Sequence, residues 1–82
     1  MNTQTEQIII YSTTWCSDCK RAKKFFGEQR ISYTNIDIEE NPEYVEVVEK
    51  INDGKRSVPT IVFPDGSVLV EPSNAQLAEK LG

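Results

Sequence analysis

With 82 residues, 38% hydrophobic and 27% charged, the chain has the composition of an ordinary soluble protein and no room for a second core, so one domain over residues 1–82 is expected. Net charge is −4 and uneven: residues 1–30 hold five Lys/Arg against three Asp/Glu, and residues 31–82 hold four against ten. This balance argues against nucleic acid as a partner, and with no apolar run of membrane-spanning length and no signal-like start in Met1-Asn2-Thr3-Gln4-Thr5-Glu6, a cytoplasmic monomer without a membrane partner is expected.

In chain order, residues 7–11 form an apolar, β-branched run that predicts a central strand covered on both faces. Ser12-Thr13-Thr14 breaks it. From residue 17 to about 30 the positions Cys19, Ala22, Phe25 and Phe26 recur at helical spacing, with Lys20, Arg21, Lys23 and Lys24 between them and Gly27 weakening the end. Residues 33–38 alternate imperfectly and predict a second strand. Asn41-Pro42 marks a helix start, with Asn41 as N-cap and Pro42 in the first turn; Tyr44, Val47, Val48 and Ile51 make its apolar stripe, and Gly54 lies past its end. Residues 60–63 and 67–70 flank Pro64-Asp65-Gly66 and predict an antiparallel hairpin. Ser73 and Gln76 form a capping box for a last helix carrying Leu77, Ala78 and Leu81. The order βαβαββα predicts an α/β fold with a parallel first half, a right-handed crossover and an antiparallel end.

The chemistry lies in Trp15-Cys16-Ser17-Asp18-Cys19, which contains both cysteines of the chain and sits between the first strand and the first helix. Side chains three apart on a helix are within disulfide reach. A bridge across so short a loop restrains the unfolded chain little, so its expected use is redox and not stapling. A structural zinc site wants four ligands, and the chain has no His and no further Cys. Thiolate is the attacking species, and an ordinary cysteine, with pKa of about 8.5, is only about 3% ionised at pH 7. Cys16, at an exposed turn on a helix N-terminus, faces free backbone N–H groups and the positive end of the helix dipole, which favour its thiolate; Cys19, one turn further in, is more buried. Cys16 is therefore expected to be the nucleophile and Cys19 the resolver. Asp18 is expected to oppose the thiolate, and Lys20, with Arg21 and Lys23, to offset Asp18. Trp15 and Ser17, flanking the nucleophile, are candidate substrate contacts, although Trp15 reads equally well as an edge-packing aromatic.

Thr13-Thr14-Trp15-Cys16-x-x-Cys19-x-Arg21-x-Lys23, the acidic second helix, Val58-Pro59-Thr60 and the Asp65-Gly66-Ser67 hairpin together resemble the glutaredoxin branch of the thioredoxin superfamily, from about Gln7 to Leu81. Within that branch, Arg56-Ser57-Val58-Pro59-Thr60, Phe63-x-Asp65-Gly66-Ser67 and Pro72-Ser73 are most similar to mycoredoxins. The resemblance implies a thioredoxin-like (glutaredoxin) fold, a four-stranded mixed sheet flanked by helices. It implies a cis Pro59 opposite Cys16, with the Val58 backbone free to pair with substrate in β fashion, so that Val58 and Pro59 become binding residues. It implies reduction of mixed disulfides between proteins and a low-molecular-weight thiol of mycothiol or glutathione type. That thiol would be the co-substrate, with no bound cofactor or metal and a separate NADPH-dependent reductase as partner. Two departures stand out. Where glutathione-using members carry a Gly-Gly pair before the last helix, this chain has Val70-Glu71-Pro72-Ser73-Asn74; Ser73 and Asn74 at the capped helix start become the candidate anion-binding positions, with Glu71 opposing. Ser17-Asp18 between the cysteines replaces the Pro-Tyr or Gly-Tyr of relatives.

Two other functions compete. A hydrogen donor for ribonucleotide reductase, recharged by thioredoxin reductase, would usually show a Trp-Ser-Gly-Phe-Arg-Pro-like segment after the last strand, which Val70-Glu71-Pro72-Ser73 is not. An iron–sulfur binding module would need four thiolates, which one chain does not supply.

Overall fold

The computed structural model describes residues 7–81, so the expectation about the first six residues lies outside it. Three consecutive isoleucines and a tyrosine suit a doubly covered pleat, and Ile8–Ser12 forms β1 in the interior of a four-stranded sheet. On one side β1 pairs in parallel with β2 (Tyr33–Asp37), setting Ile8 opposite Tyr33 and Ser12 opposite Asp37. On the other it pairs antiparallel with β3 (Thr60–Val62), Ile10 opposite Ile61, and β3 pairs antiparallel with β4 (Val68–Val70), Ile61 opposite Leu69. The strand order is β2-β1-β3-β4, the mixed sheet expected. The helices are α1 (Ser17–Glu28), α2 (Val45–Ile51) and α3 (Asn74–Leu81). Among the described residues no helix is long and apolar enough to cross a membrane.

Because side chains alternate along a strand, β1 feeds two cores. Ile8 and Ile10 join Ala22, Phe26, Ile61, Phe63 and Leu77 on the face covered by α1 and α3. Tyr11 joins Ile38 and Val48 on the opposite face, with Ile9, Tyr44, Val45, Val58 and Val62 packed around them. The open end of β1 is thereby fixed from both sides, and the Cys16 turn grows from it.

Several boundaries differ from expectation for local reasons. Helix α1 stops at Glu28 and not near residue 30, because Arg30 enters the left-handed region (φ 57°) and the Ile31 N–H turns back to the Phe26 carbonyl at 2.9 Å. Asn41 does not cap a helix. Its Nδ2 donates to the Asp37 carbonyl at 3.1 Å, and a 3₁₀ turn (Pro42–Tyr44) precedes α2. The buried stripe of this segment also shifts: Val48 is fully buried and Val45 packs beside it, while Val47 and Ile51 are exposed. Strand β3 ends at Val62 because the Phe63 N–H bonds the Ser67 carbonyl and the Gly66 N–H the Phe63 carbonyl, closing the turn over Gly66 at φ 90°.

The hairpin turn is tied to α3. Lys80 Nζ donates to Asp65 Oδ2 at 2.7 Å and lies 5.2 Å from the Phe63 ring centroid. Lys80 first, and then the Ser67 hydroxyl and N–H, hold the Asp65 carboxyl well below the usual carboxylate range. A depressed folded-state pKa stabilises above the unfolded value, about 3.9, and the gain fades as pH falls below it. Asp65→Asn is therefore expected to lower the thermal midpoint slightly at pH 7, with the two proteins converging as the pH drops below about 3. A difference that stays constant across that range would show that the ion pair contributes nothing.

Candidate active site

The segment Thr13-Thr14-Trp15 carries the chain from β1 to α1, and Cys16, in extended conformation (φ −85°, ψ 113°), is the N-cap of α1. A cap side chain must accept one of the first-turn N–H groups that have no helical partner. Here the acceptor is sulfur: the Cys19 N–H donates to Cys16 Sγ at 3.1 Å. In thiol form Cys16 also donates to the Val58 carbonyl at 3.7 Å. Ionisation keeps the first bond, strengthens it, and removes the second, leaving the Val58 carbonyl unoccupied.

Cys16 was expected at an exposed turn, but only 7% of its surface is open. Its Sγ is hydrogen-bonded to the Val58 carbonyl, and Cys16 and Val58 line the same groove. Cys19 is fully buried, and burial, reinforced by its hydrogen bond with Cys16, pushes its thiol up to about 12 against the opposing Thr13 backbone N–H. Both cysteines are free. The arrangement separates one sulfur that accepts an N–H and borders the groove from a second, fully buried sulfur that stays protonated.

The groove over Cys16 has a volume of about 480 Å³ and is lined by Trp15, Ser17, Asp18, Arg56, Ser57, Val58 and Glu71. Trp15 is 67% exposed, so it is no core aromatic, and its Nε1 donates to Glu39 Oε2 at 2.9 Å. The Val58–Pro59 peptide is cis, and Pro59 is buried. Trp15, Arg56 and Val58 also line a second cavity of about 480 Å³ with an apolar floor of Ile38, Pro42 and Val45. Thr13 lies against that cavity, and its buried Oγ1 has no hydrogen-bond partner among the described residues.

Of the three cations expected to offset Asp18, Arg21 is the one that pairs with it. Arg21 Nη2 donates to Asp18 Oδ1 at 3.2 Å and to the Pro72 carbonyl at 3.2 Å, and Nη1 donates to Asn74 Oδ1 at 3.4 Å. Lys20 is exposed and takes no part in an ion pair among the described residues. Arg21 thus neutralises Asp18 while bracing α1 against the start of α3. Ser73 and Asn74 lie outside the groove lining, with polar atoms engaged elsewhere: Ser73 Oγ accepts the Gln76 N–H, the Ser73 N–H donates to Gln76 Oε1, and Asn74 holds Arg21. The expected capping box is thus formed. Arg56 and Ser57 were not singled out as site residues by the sequence, and Glu71, read there as opposing an anion at the start of the last helix, lines the groove instead. Arg56-Ser57 could have been found from its adjacency to Val58, whereas Glu71 reaches the groove only through the β4–α3 connection.

Comparison with known proteins gives concordant results. The family model for glutaredoxin matches residues 8–69. A Mycobacterium tuberculosis protein provisionally named a glutaredoxin is 43% identical over 77 residues, covering 94% of this chain and 92% of that protein. Mycoredoxin 1 of Corynebacterium glutamicum is 35% identical over 74 residues, 90% of this chain and 91% of that one. The glutaredoxin-like protein NrdH of Lactococcus lactis is 40% identical over 58 residues, 71% of this chain and 78% of its own length. Among solved structures, a glutaredoxin of Archaeoglobus fulgidus superposes with a TM-score of 0.79 at 24% identity, covering 96% of this chain and 89% of that one, which shows a shared fold.

Proposed function

The chain belongs to the glutaredoxin family, and on that premise we propose that it reduces mixed disulfides between proteins and a low-molecular-weight thiol. Thiol–disulfide oxidoreductase chemistry is general to the family; the substrate pairing is our reading. One observation carries it: the Cys19 N–H bonded to Cys16 Sγ at 3.1 Å, beside a groove of about 480 Å³ that Cys16 lines.

The Cys16 thiolate attacks the small thiol's sulfur, the old S–S bond breaks, and the protein leaves as a thiolate that takes up a proton. The Cys19 N–H holds the attacking sulfur in place and stabilises its charge. Cys19, lacking charge while protonated, then loses its proton and attacks Cys16 Sγ, releasing the small thiol and forming the Cys16–Cys19 disulfide. Two equivalents of small thiol reduce that disulfide, and the oxidised small thiol returns through a separate NADPH-dependent reductase. In this reading Val58, whose carbonyl is released when Cys16 ionises, pairs with the substrate backbone.

For the thiol we favour mycothiol, on the likeness to mycoredoxin 1 over nine-tenths of the chain. The likeness to NrdH supports direct recharging by thioredoxin reductase as a second reading. The test is NADPH oxidation with one mixed-disulfide substrate and three reducing systems: mycothiol with its reductase, glutathione with its reductase, and thioredoxin reductase alone. Fastest turnover is expected with mycothiol. Fastest turnover with thioredoxin reductase alone would replace this reading with the second, and turnover with none of the three would overturn both.

A further inference from the structure

We propose that Glu71 makes the Cys16 groove selective for mixed disulfides whose small-thiol arm is cationic or uncharged over those whose arm carries a carboxylate. The inference rests on the disulfide-reductase reading above and concerns which arm the groove accepts. Glu71 is a non-glycine residue held in the left-handed region at φ 50°, a conformation that a side chain bearing Cβ adopts only when its surroundings impose it. Its N–H donates to the Pro59 carbonyl at 2.9 Å, which ties it to the loop carrying Val58, and it lines the groove together with Cys16.

The charges along the groove are not equivalent. Asp18 is neutralised by Arg21, which is held in place by Pro72 and Asn74. The Glu71 carboxylate is exposed and makes no hydrogen bond or ion pair among the described residues. Arg56, the cationic side chain of the lining, is paired with Glu49 at 3.8 Å and also lines the second cavity. Among the charged side chains of the groove lining, Asp18 and Arg56 each have a counter-charge and Glu71 has none among the described residues. An arm bonded to Cys16 and lying toward Glu71 meets that carboxylate, which attracts an ammonium and repels a second carboxylate.

The test uses the reduced protein in single-turnover mixing, so that the Cys16–Cys19 dithiol supplies both electrons and no further reductant is needed. One cysteine-containing peptide is capped in turn with cysteamine, 2-mercaptoethanol or 3-mercaptopropionate, and each rate is divided by that of the same disulfide with dithiothreitol to remove intrinsic reactivity. One unit charge at contact distance changes a rate about fivefold in water, and salt attenuates it, so the ammonium arm should outrun the carboxylate arm by about tenfold at low salt. That ratio should fall to about two- to threefold in Glu71→Gln and in 0.5 M salt, and invert in Glu71→Lys. Glu71→Gly removes the charge and frees the backbone, and it should give the same ratio as Glu71→Gln should the Lys variant fail to fold. Equal normalised rates for the three arms, or an unchanged ratio in Glu71→Gln and Glu71→Gly, would overturn the inference while leaving the reductase reading intact. Failure of all three arms to react faster than with Cys16→Ser would overturn the reductase reading itself.

Discussion

Cys16→Ser is expected to bring disulfide reduction down to the uncatalysed rate, whereas Cys19→Ser is expected to retain the first half of the reaction and accumulate a mixed disulfide on Cys16. The asymmetry follows from where the two sulfurs sit. Cys16 caps α1, receives an N–H at 3.1 Å and borders the groove. A serine hydroxyl there keeps the cap but offers no thiolate, and attack requires the thiolate. Cys19 is fully buried and its thiol is pushed up to about 12, so it cannot substitute as first nucleophile at neutral pH. Its task begins only when a disulfide partner stands one helical turn away. Intact-protein mass after mixing with a mixed disulfide reads both outcomes: Cys19→Ser should gain the mass of the small thiol, and Cys16→Ser should gain nothing. Equal turnover by the two variants would remove the assigned roles.

Phe26→Ala carries the largest expected stability loss. The ring is completely buried among Ile8, Ile10, Ala22, Ile61, Phe63 and Leu77, with its centroid 5.5 Å from that of Tyr33 and 6.2 Å from that of Phe25. Truncating a buried phenylalanine costs about 3–5 kcal/mol, against a total of about 5–15 kcal/mol for a typical domain, and small chains lie at the low end. With a urea slope of about 1 kcal/mol/M for a chain this size, the midpoint should fall by about 3 M or more, close to complete loss of the folded state at room temperature. Function is lost with it, because Phe26 anchors the helix whose first turn supplies the N–H to Cys16. Phe25→Ala, at a partly buried position, should cost markedly less. A shift below about 1 M for Phe26→Ala would mean that α1 does not rest on the sheet as described.

The sequence made the sheet legible because its strong signals were local ones. Ile8-Ile9-Ile10-Tyr11 can hardly be anything but an interior strand, Ser73 and Gln76 carry their own capping chemistry, and Cys16-x-x-Cys19 after a strand specifies both the element boundary and the reaction. The errors arose where tertiary contacts override local pattern. Asn41 is a good N-cap by type, yet its side chain was taken by the Asp37 carbonyl. Val47 and Ile51 have the right spacing for a stripe, but the sheet beneath α2 accepts Val45 and Val48. The exposure of Cys16 was overestimated because Val58, whose carbonyl its Sγ meets, comes about forty residues later in the chain. Charge was harder still. Lys20 is nearer to Asp18 in sequence, but only Arg21 reaches both Asp18 and the Pro72 carbonyl. Glu71 enters the groove through a left-handed backbone that no side-chain pattern announces.

The most direct test of the division of labour between the two sulfurs is alkylation of the fully reduced protein by iodoacetamide at pH 8, mapped by peptide mass. A thiol raised to about 12 is ionised to only about one part in ten thousand at that pH. The expected result is one modification per chain, on Cys16, with Cys19 labelled only after denaturation. Comparable labelling of both cysteines in the folded protein, or labelling of Cys19 first, would contradict the account.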